Sequence, residues 1–93
     1  MSETTIKLAV MRSLKRLYPR VVVIKFADRF TSGIPDLLVI YEGKHVFIEL
    51  KTPVGIISSI QKYMINKINS AGGMAVVCRS VDDVINVMRR EVK

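Results

Sequence analysis

Two acids and a lysine, Asp36, Glu49 and Lys51, have the chemical types and the spacing of a cation-binding cluster. Each lies in or beside a short apolar stretch bounded by turn residues, and such stretches are typical of buried strands. Two carboxylates brought together on buried strands repel each other, and a divalent cation between them would relieve that repulsion. The three residues therefore indicate chemistry that depends on a metal ion.

The two strands that carry these residues are predicted to form a hairpin. A two-residue turn over 42–43 would join them, because Gly43 can take a positive φ. In that register Asp36 lies opposite Glu49, with Cβ atoms roughly 4.5–5.5 Å apart, and strand alternation places Lys51 on the same face as Glu49. A three-residue turn would shift the register by one and move one acid to the other face.

The composition predicts one small, well-packed domain over residues 1–93. Of the 93 residues, 49% are hydrophobic, which is enough for a core and argues against disorder. No apolar run reaches the roughly 18 residues of a membrane span. The single cysteine, Cys78, excludes an internal disulfide and a multi-cysteine zinc site, and His45 is the only histidine. We therefore expect a cytoplasmic protein, and the net charge of +7 favours an anionic partner such as nucleic acid.

The remaining elements follow from the spacing of apolar residues and from turn signals. The predicted order is αβββαβα, with a mixed sheet flanked by helices. The elements are a helix over 3–18 with the apolar stripe Ile6, Val10, Leu14 and Leu17; a strand over 21–26, covered on both sides; hairpin strands over 36–41 and 46–51; a helix from Ser58 or Ser59 to Ser70; a strand over 74–78; and a helix over 81–92.

Several polar residues have two interpretations at this stage. Gln61 falls within the apolar stripe of its helix, so it either bonds to nearby backbone or reaches the acidic cluster. Five basic residues of the first helix region either form a solvated surface or contact phosphates: Lys7, Arg12, Lys15, Arg16 and Arg20. Arg29 and Thr31, in the loop before Gly33, are weaker candidates for phosphate contact.

The whole pattern resembles a known family. Gly33-Ile34-Pro35-Asp36, followed by Glu49-Leu50-Lys51 and then Gln61 on the next helix, is similar to the PD-(D/E)XK nuclease superfamily, and within it to the virus-type replication-repair nuclease (VRR-NUC) family. The resemblance covers roughly residues 33–90. It implies a small restriction-endonuclease-like core of the α/β class.

The resemblance also implies roles for individual residues. Asp36 and Glu49 correspond to the metal-binding carboxylates, and the main-chain carbonyl of Leu50 to a further ligand of Mg²⁺ or Mn²⁺. Lys51 corresponds to the group that orients the attacking water or steadies developing charge. Gln61 matches a helix position that supports the site. Glu3 matches, more loosely, an acid that some relatives supply from the first helix.

The expected function is a divalent-metal-dependent DNA endonuclease that acts on branched or structured DNA as a homodimer, because compact stand-alone members resemble Holliday-junction resolvases. The expected location is intracellular, and this includes the interior of a virus-infected host cell. A nicking or restriction-like endonuclease is the first alternative, and a non-catalytic basic DNA-binding module is the second. Hard oxygen ligands and a nearby lysine suit phosphodiester hydrolysis independently of the resemblance.

Overall fold

The computed structural model describes residues 2–27 and 31–91, so the predictions that involve Arg29 and Val92 lie outside the described residues. The predicted order αβββαβα is confirmed. In chain order the elements are α1 (Glu3–Leu17), β1 (Val22–Lys25), β2 (Leu37–Tyr41), β3 (Lys44–Leu50), α2 (Ser59–Ser70), β4 (Ala75–Cys78) and α3 (Val81–Glu91).

The four strands form one mixed sheet in the order β1-β2-β3-β4. The pairs β1–β2 and β2–β3 are antiparallel, and β3 and β4 are parallel because α2 carries the chain back across the sheet. The two-residue turn is confirmed: Tyr41 faces Lys44, and both turn residues have positive φ, 48° at Glu42 and 80° at Gly43. Both signs are those of a type I′ hairpin turn, which matches the twist of the strands.

One face of the sheet packs against α1 and α3 to form the core. From the sheet the core takes Leu37, Val39, Val46, Ile48, Leu50 and Cys78; from the helices it takes Ile6, Val10, Leu14, Val84, Val87 and Met88. α1 begins at an N-cap, Ser2, whose hydroxyl accepts a hydrogen bond from the Thr5 N–H at 3.1 Å. This packing fixes α1, and therefore its first turn, against the sheet.

The opposite face is only partly covered, and here the prediction for β1 was wrong. β1 is an edge strand with Val22 50% and Ile24 41% exposed, whereas its β-branched run had indicated cover on both sides. α2 contacts β4 and leaves the face at β1 open. The β-branched pattern reports a preference for extended backbone and does not say what lies above the strand.

Two predicted apolar stripes are also more exposed than expected. No residue of α2 is fully buried, and Ile60 is 48% exposed. Leu17, the last member of the α1 stripe, is 48% exposed because it lies at the end of the helix. Cys78 is buried, and burial raises the pKa of its thiol to about 12, so the thiol stays protonated. Within the described residues, no helix is both long and apolar enough to span a bilayer.

Candidate metal centre

Asp36 stands directly before β2, and its carboxylate is held by two groups. The β2–β3 register, continued by one residue, places Asp36 opposite Glu49. The Leu50 N–H donates a hydrogen bond to Asp36 Oδ2 at 2.8 Å. The other oxygen, Oδ1, lies 3.5 Å from Nζ of Lys7. Asp36 is thus anchored through one oxygen to the backbone of the partner strand and faces an ammonium group with the other.

Glu49 is the one buried charged residue among those described, with 2% of its surface exposed. Its Oε2 accepts a hydrogen bond from Gln61 Nε2 at 3.2 Å and lies 3.8 Å from Lys51 Nζ. The pKa of Glu49 is raised to about 7, first because burial keeps water from stabilising the charged form and second because of the neighbouring charge of Asp36. Lys51 acts in the opposite direction without cancelling these two effects.

A third acid, Glu3, reaches the same place from the first turn of α1. Carboxylate oxygens of Glu3, Asp36 and Glu49 all lie within 4.8 Å of one another. Three carboxylates at this separation repel each other in a partly desolvated site, and they are the hard oxygen donors that Mg²⁺ and Mn²⁺ prefer. The donor set therefore fits a divalent cation, and Glu3, the weakest of the sequence candidates, lies with the other two.

Gln61 satisfies both interpretations that its position in the helix left open. Its Oε1 accepts a hydrogen bond from the Ser58 N–H at 3.0 Å, while the Gln61 N–H donates to Ser58 Oγ at 3.2 Å, which together form a capping box. The remaining Nε2 donates to Glu49. Because the backbone bond fixes which end of the amide faces the sheet, the cap also aims the donor at the acid.

The position of Gln61 depends on a close approach between the GIPD loop and α2. Gly33 has φ +77°, and a Cβ built on it would overlap the main-chain oxygen of Ile60 and lie 2.8 Å from the Ile60 carbonyl carbon. Only glycine fits there without a shift of the first turn of α2. The motif residue Gly33 therefore sets how near Gln61 comes to Glu49.

Two further residues were not recognised as part of the site from the sequence. Lys7 was placed with the outer basic residues of α1, although its position one turn after Glu3 puts both on one helix face. Arg79 donates through Nη1 to the carbonyl oxygens of Thr52, at 2.8 Å, and Gly55, at 2.6 Å. It thereby fastens the loop that follows Lys51, a long-range contact that no local pattern indicates.

The predicted main-chain ligand, Leu50, has its backbone at the cluster, since its N–H bonds to Asp36. The basic residues of the α1 region do not all lie at the cluster. Lys7 lies in the cluster, whereas Arg20 forms an exposed ion pair with Glu42 at 3.7 Å. Exposed pairs of that kind contribute little to stability, on the order of 1 kcal/mol or less.

Comparison with known proteins gives one consistent similarity. The sequence pattern of the VRR-NUC domain matches residues 6–82. A solved structure named VRR_NUC domain protein is similar to the chain with a TM-score of 0.77 and 24% identity, over 99% of this chain and 88% of the other. A second, named VRR_NUC domain, has a TM-score of 0.74 and 22% identity, over 96% and 97%. At these identities the structures show a shared fold. No curated protein matches the chain.

Proposed function

The chain belongs to the VRR-NUC domain family, which is a family of nuclease-type domains, and on that basis we propose that it is a divalent-metal-dependent endonuclease that hydrolyses DNA. The observation that carries the proposal is the convergence of Glu3, Asp36 and Glu49 within 4.8 Å, with Lys51 3.8 Å from Glu49. A carboxylate cluster that includes the buried Glu49, in a chain of net charge +7, suits a cation site for a polyanionic substrate.

Each residue of the cluster has a proposed role. Asp36, Glu49 and the Leu50 carbonyl would hold Mg²⁺ or Mn²⁺, with Glu3 as an additional acid. When bound, the ion supplies an activated water and stabilisation of charge on the phosphoryl group. Lys51 places a positive charge where negative charge develops during hydrolysis, and it orients the attacking water. Gln61 keeps the Glu49 carboxylate turned toward the cluster.

The test is cleavage of labelled four-way junction, duplex, flap and single-stranded DNA in Mg²⁺, Mn²⁺ or EDTA. We expect metal-dependent cleavage that Asp36→Asn and Lys51→Ala each reduce by about a hundredfold or more, the scale on which charge-stabilising groups act. Asp82→Asn, at an exposed acid of α3, and Lys44→Ala, at an exposed lysine of β3, are the matched controls. If the wild-type protein cleaves none of these substrates in Mn²⁺, the proposal is contradicted.

We propose further that branched or structured DNA is the preferred substrate and that the protein acts in the cytoplasm. Preference for the four-way junction over duplex in the same assay supports the proposed substrate. Single nicks in plain duplex would instead indicate a nicking or restriction-like endonuclease. Junction binding that is equal with and without EDTA, with no cleavage, would indicate the non-catalytic DNA-binding module.

Resolution of a junction requires two cuts, and residues 2–27 and 31–91 of one chain carry one such cluster, so we propose a homodimer. Its proposed interface is the loop–helix surface formed by Val54, Ile56, Ile60 and Tyr63, which are 89%, 85%, 48% and 58% exposed. Exposed apolar groups of this extent mark interaction surfaces, and this one adjoins Gln61.

Light scattering tests the dimer. We expect a mass of twice the 10.5 kDa of one chain, reduced to a single chain by Val54→Asp with Ile56→Asp. Val22→Asp, on the open face at β1, is the control and should leave the dimer intact. A mass of one chain with junction DNA bound counts against the homodimer.

A further inference from the structure

Lys7 has a function in the site that the nuclease proposal does not assign. We infer that Lys7 is a built-in counter-ion of Asp36, which occupies the place of the divalent cation when none is bound and lowers the affinity for that cation. The inference rests on the proposed function, because it takes the carboxylate cluster to be a cation site. It makes Lys7 a positioning residue, since it acts through Asp36.

The two oxygens of Asp36 are already assigned to different neighbours. Oδ2 accepts the Leu50 N–H at 2.8 Å, a bond that ties the carboxylate to β3. Oδ1 is the oxygen that lies 3.5 Å from Lys7 Nζ. A divalent cation that binds to Oδ1 has to displace the ammonium group or share the oxygen with it.

The fold holds Lys7 in this position. Its neighbours Ile6 and Val10 are 1% and 0% exposed, so α1 cannot shift away from the sheet without opening the core. The Lys7 side chain is only 27% exposed, which is low for a lysine on the surface of a helix. Glu3, four residues earlier on the same helix face, adds a second carboxylate to its surroundings.

Lys51 holds the equivalent place beside Glu49, so that each strand acid faces one lysine. The two lysines differ in origin. Lys51 directly follows the strand that carries Glu49, whereas Lys7 comes from a helix and precedes Asp36 by 29 residues in the chain. Removal of the Lys7 charge should therefore change the electrostatics at Asp36 while the hairpin and its register remain.

The primary experiment is calorimetric titration of metal-free protein with Mn²⁺ alone at pH 8. We expect Lys7→Gln to bind Mn²⁺ about three- to fivefold more tightly than wild type, the range that a partly exposed ion pair supports. Lys7→Arg, which keeps the charge, should stay within about twofold of wild type. Lys15→Gln is the matched control: it removes the same charge from the same helix about 12 Å further along, beyond the screening length.

A second measurement needs no metal. In EDTA, Lys7→Gln should lower the melting temperature in the wild-type background and lower it by a smaller amount in an Asp36→Asn background, since the nearest charge that Lys7 compensates is then gone. A loss of the same size in both backgrounds would show that Lys7 contributes packing alone and overturn the inference.

The outcomes separate the inference from the nuclease proposal. Mn²⁺ affinity of Lys7→Gln equal to that of Lys15→Gln overturns the counter-ion role and leaves the metal site standing. A wild-type protein that takes up no Mn²⁺ overturns both the nuclease proposal and the inference that depends on it.

Discussion

Glu49 is an acid that the fold keeps almost entirely out of water. Its neighbours are Asp36 across the hairpin, Lys51 on its own strand and Gln61 from α2. The pKa of about 7 follows mainly from burial, against an ordinary value of 4.5. The protein therefore takes up a proton on this carboxyl in a range where the unfolded chain has already released it.

This pKa predicts how the stability of the metal-free protein depends on pH. Between pH 4.5 and 7 the folded chain binds more protons at Glu49 than the unfolded chain, so the free energy of unfolding should fall as pH rises through this range. The loss should be about 1–3 kcal/mol. Glu49→Gln should remove most of this slope and be the more stable protein at pH 8 in EDTA.

Urea denaturation at pH 5, 6, 7 and 8 in EDTA measures the effect. Glu42→Gln is the matched control, because the Glu42 side chain is 52% exposed in the hairpin turn and its removal should leave the slope in place. If wild type and Glu49→Gln lose stability in parallel, the desolvation of Glu49 is not the cause.

At the scale of elements, the contact between Gly33 and the first turn of α2 sets the geometry of the site. The main chain of Gly33 packs against Ile60 and Gln61, and Gln61 in turn bonds to Glu49. A methyl group on Gly33 has to push α2 outward and lengthen the Gln61–Glu49 hydrogen bond. A loop residue is thereby coupled to the support of an acid in the carboxylate cluster.

Gly33→Ala should therefore lower the free energy of unfolding by more than the strain of a positive φ alone. Gly72→Ala is the matched control: Gly72 has φ +94°, and a Cβ there would meet nothing within 4 Å. We expect Gly72→Ala to cost about 1–2 kcal/mol of stability and to retain DNA cleavage, while Gly33→Ala costs at least about 1 kcal/mol more and cleaves more slowly. Denaturation and cleavage assays on both variants check this. If both variants lose the same stability and activity, the contact between Gly33 and α2 adjusts to the extra methyl group at little energetic cost.

The hairpin was predictable because its information is local. The Glu42-Gly43 turn fixes the register, and the register places Asp36 opposite Glu49. The arrival of Lys7 was not, because it depends on how α1 packs on a sheet formed some thirty residues later. Glu3, which reaches the cluster from the same helix, was expected only through the resemblance to the nuclease family. Periodicity identifies the apolar side of an element but not how completely another element covers it. For that reason the exposure of Ile24 and Ile60 could not be predicted either.

At the scale of the whole molecule, the net charge of +7 is distributed around a local excess of acid. Lys7 and Lys51 are engaged with the cluster, so the remaining basic residues provide the field that attracts a polyanion. They do not all lie near the cluster: Lys15 is twelve residues beyond Glu3 on α1, about 18 Å along the helix axis. Lys62 directly follows Gln61 and is exposed.

Binding of DNA should therefore depend on salt, and Lys62 should contribute more to it than Lys15. We expect the logarithm of the affinity to fall linearly with the logarithm of the NaCl concentration, with a slope of about −0.9 for each phosphate contacted. Lys62→Gln should make this slope shallower by about one unit, and Lys15→Gln should leave it unchanged. Fluorescence anisotropy with labelled junction DNA in EDTA, from 50 to 300 mM NaCl, measures both without cleavage. A shallower slope for Lys15→Gln together with an unchanged slope for Lys62→Gln would place the DNA along α1 and away from the cluster.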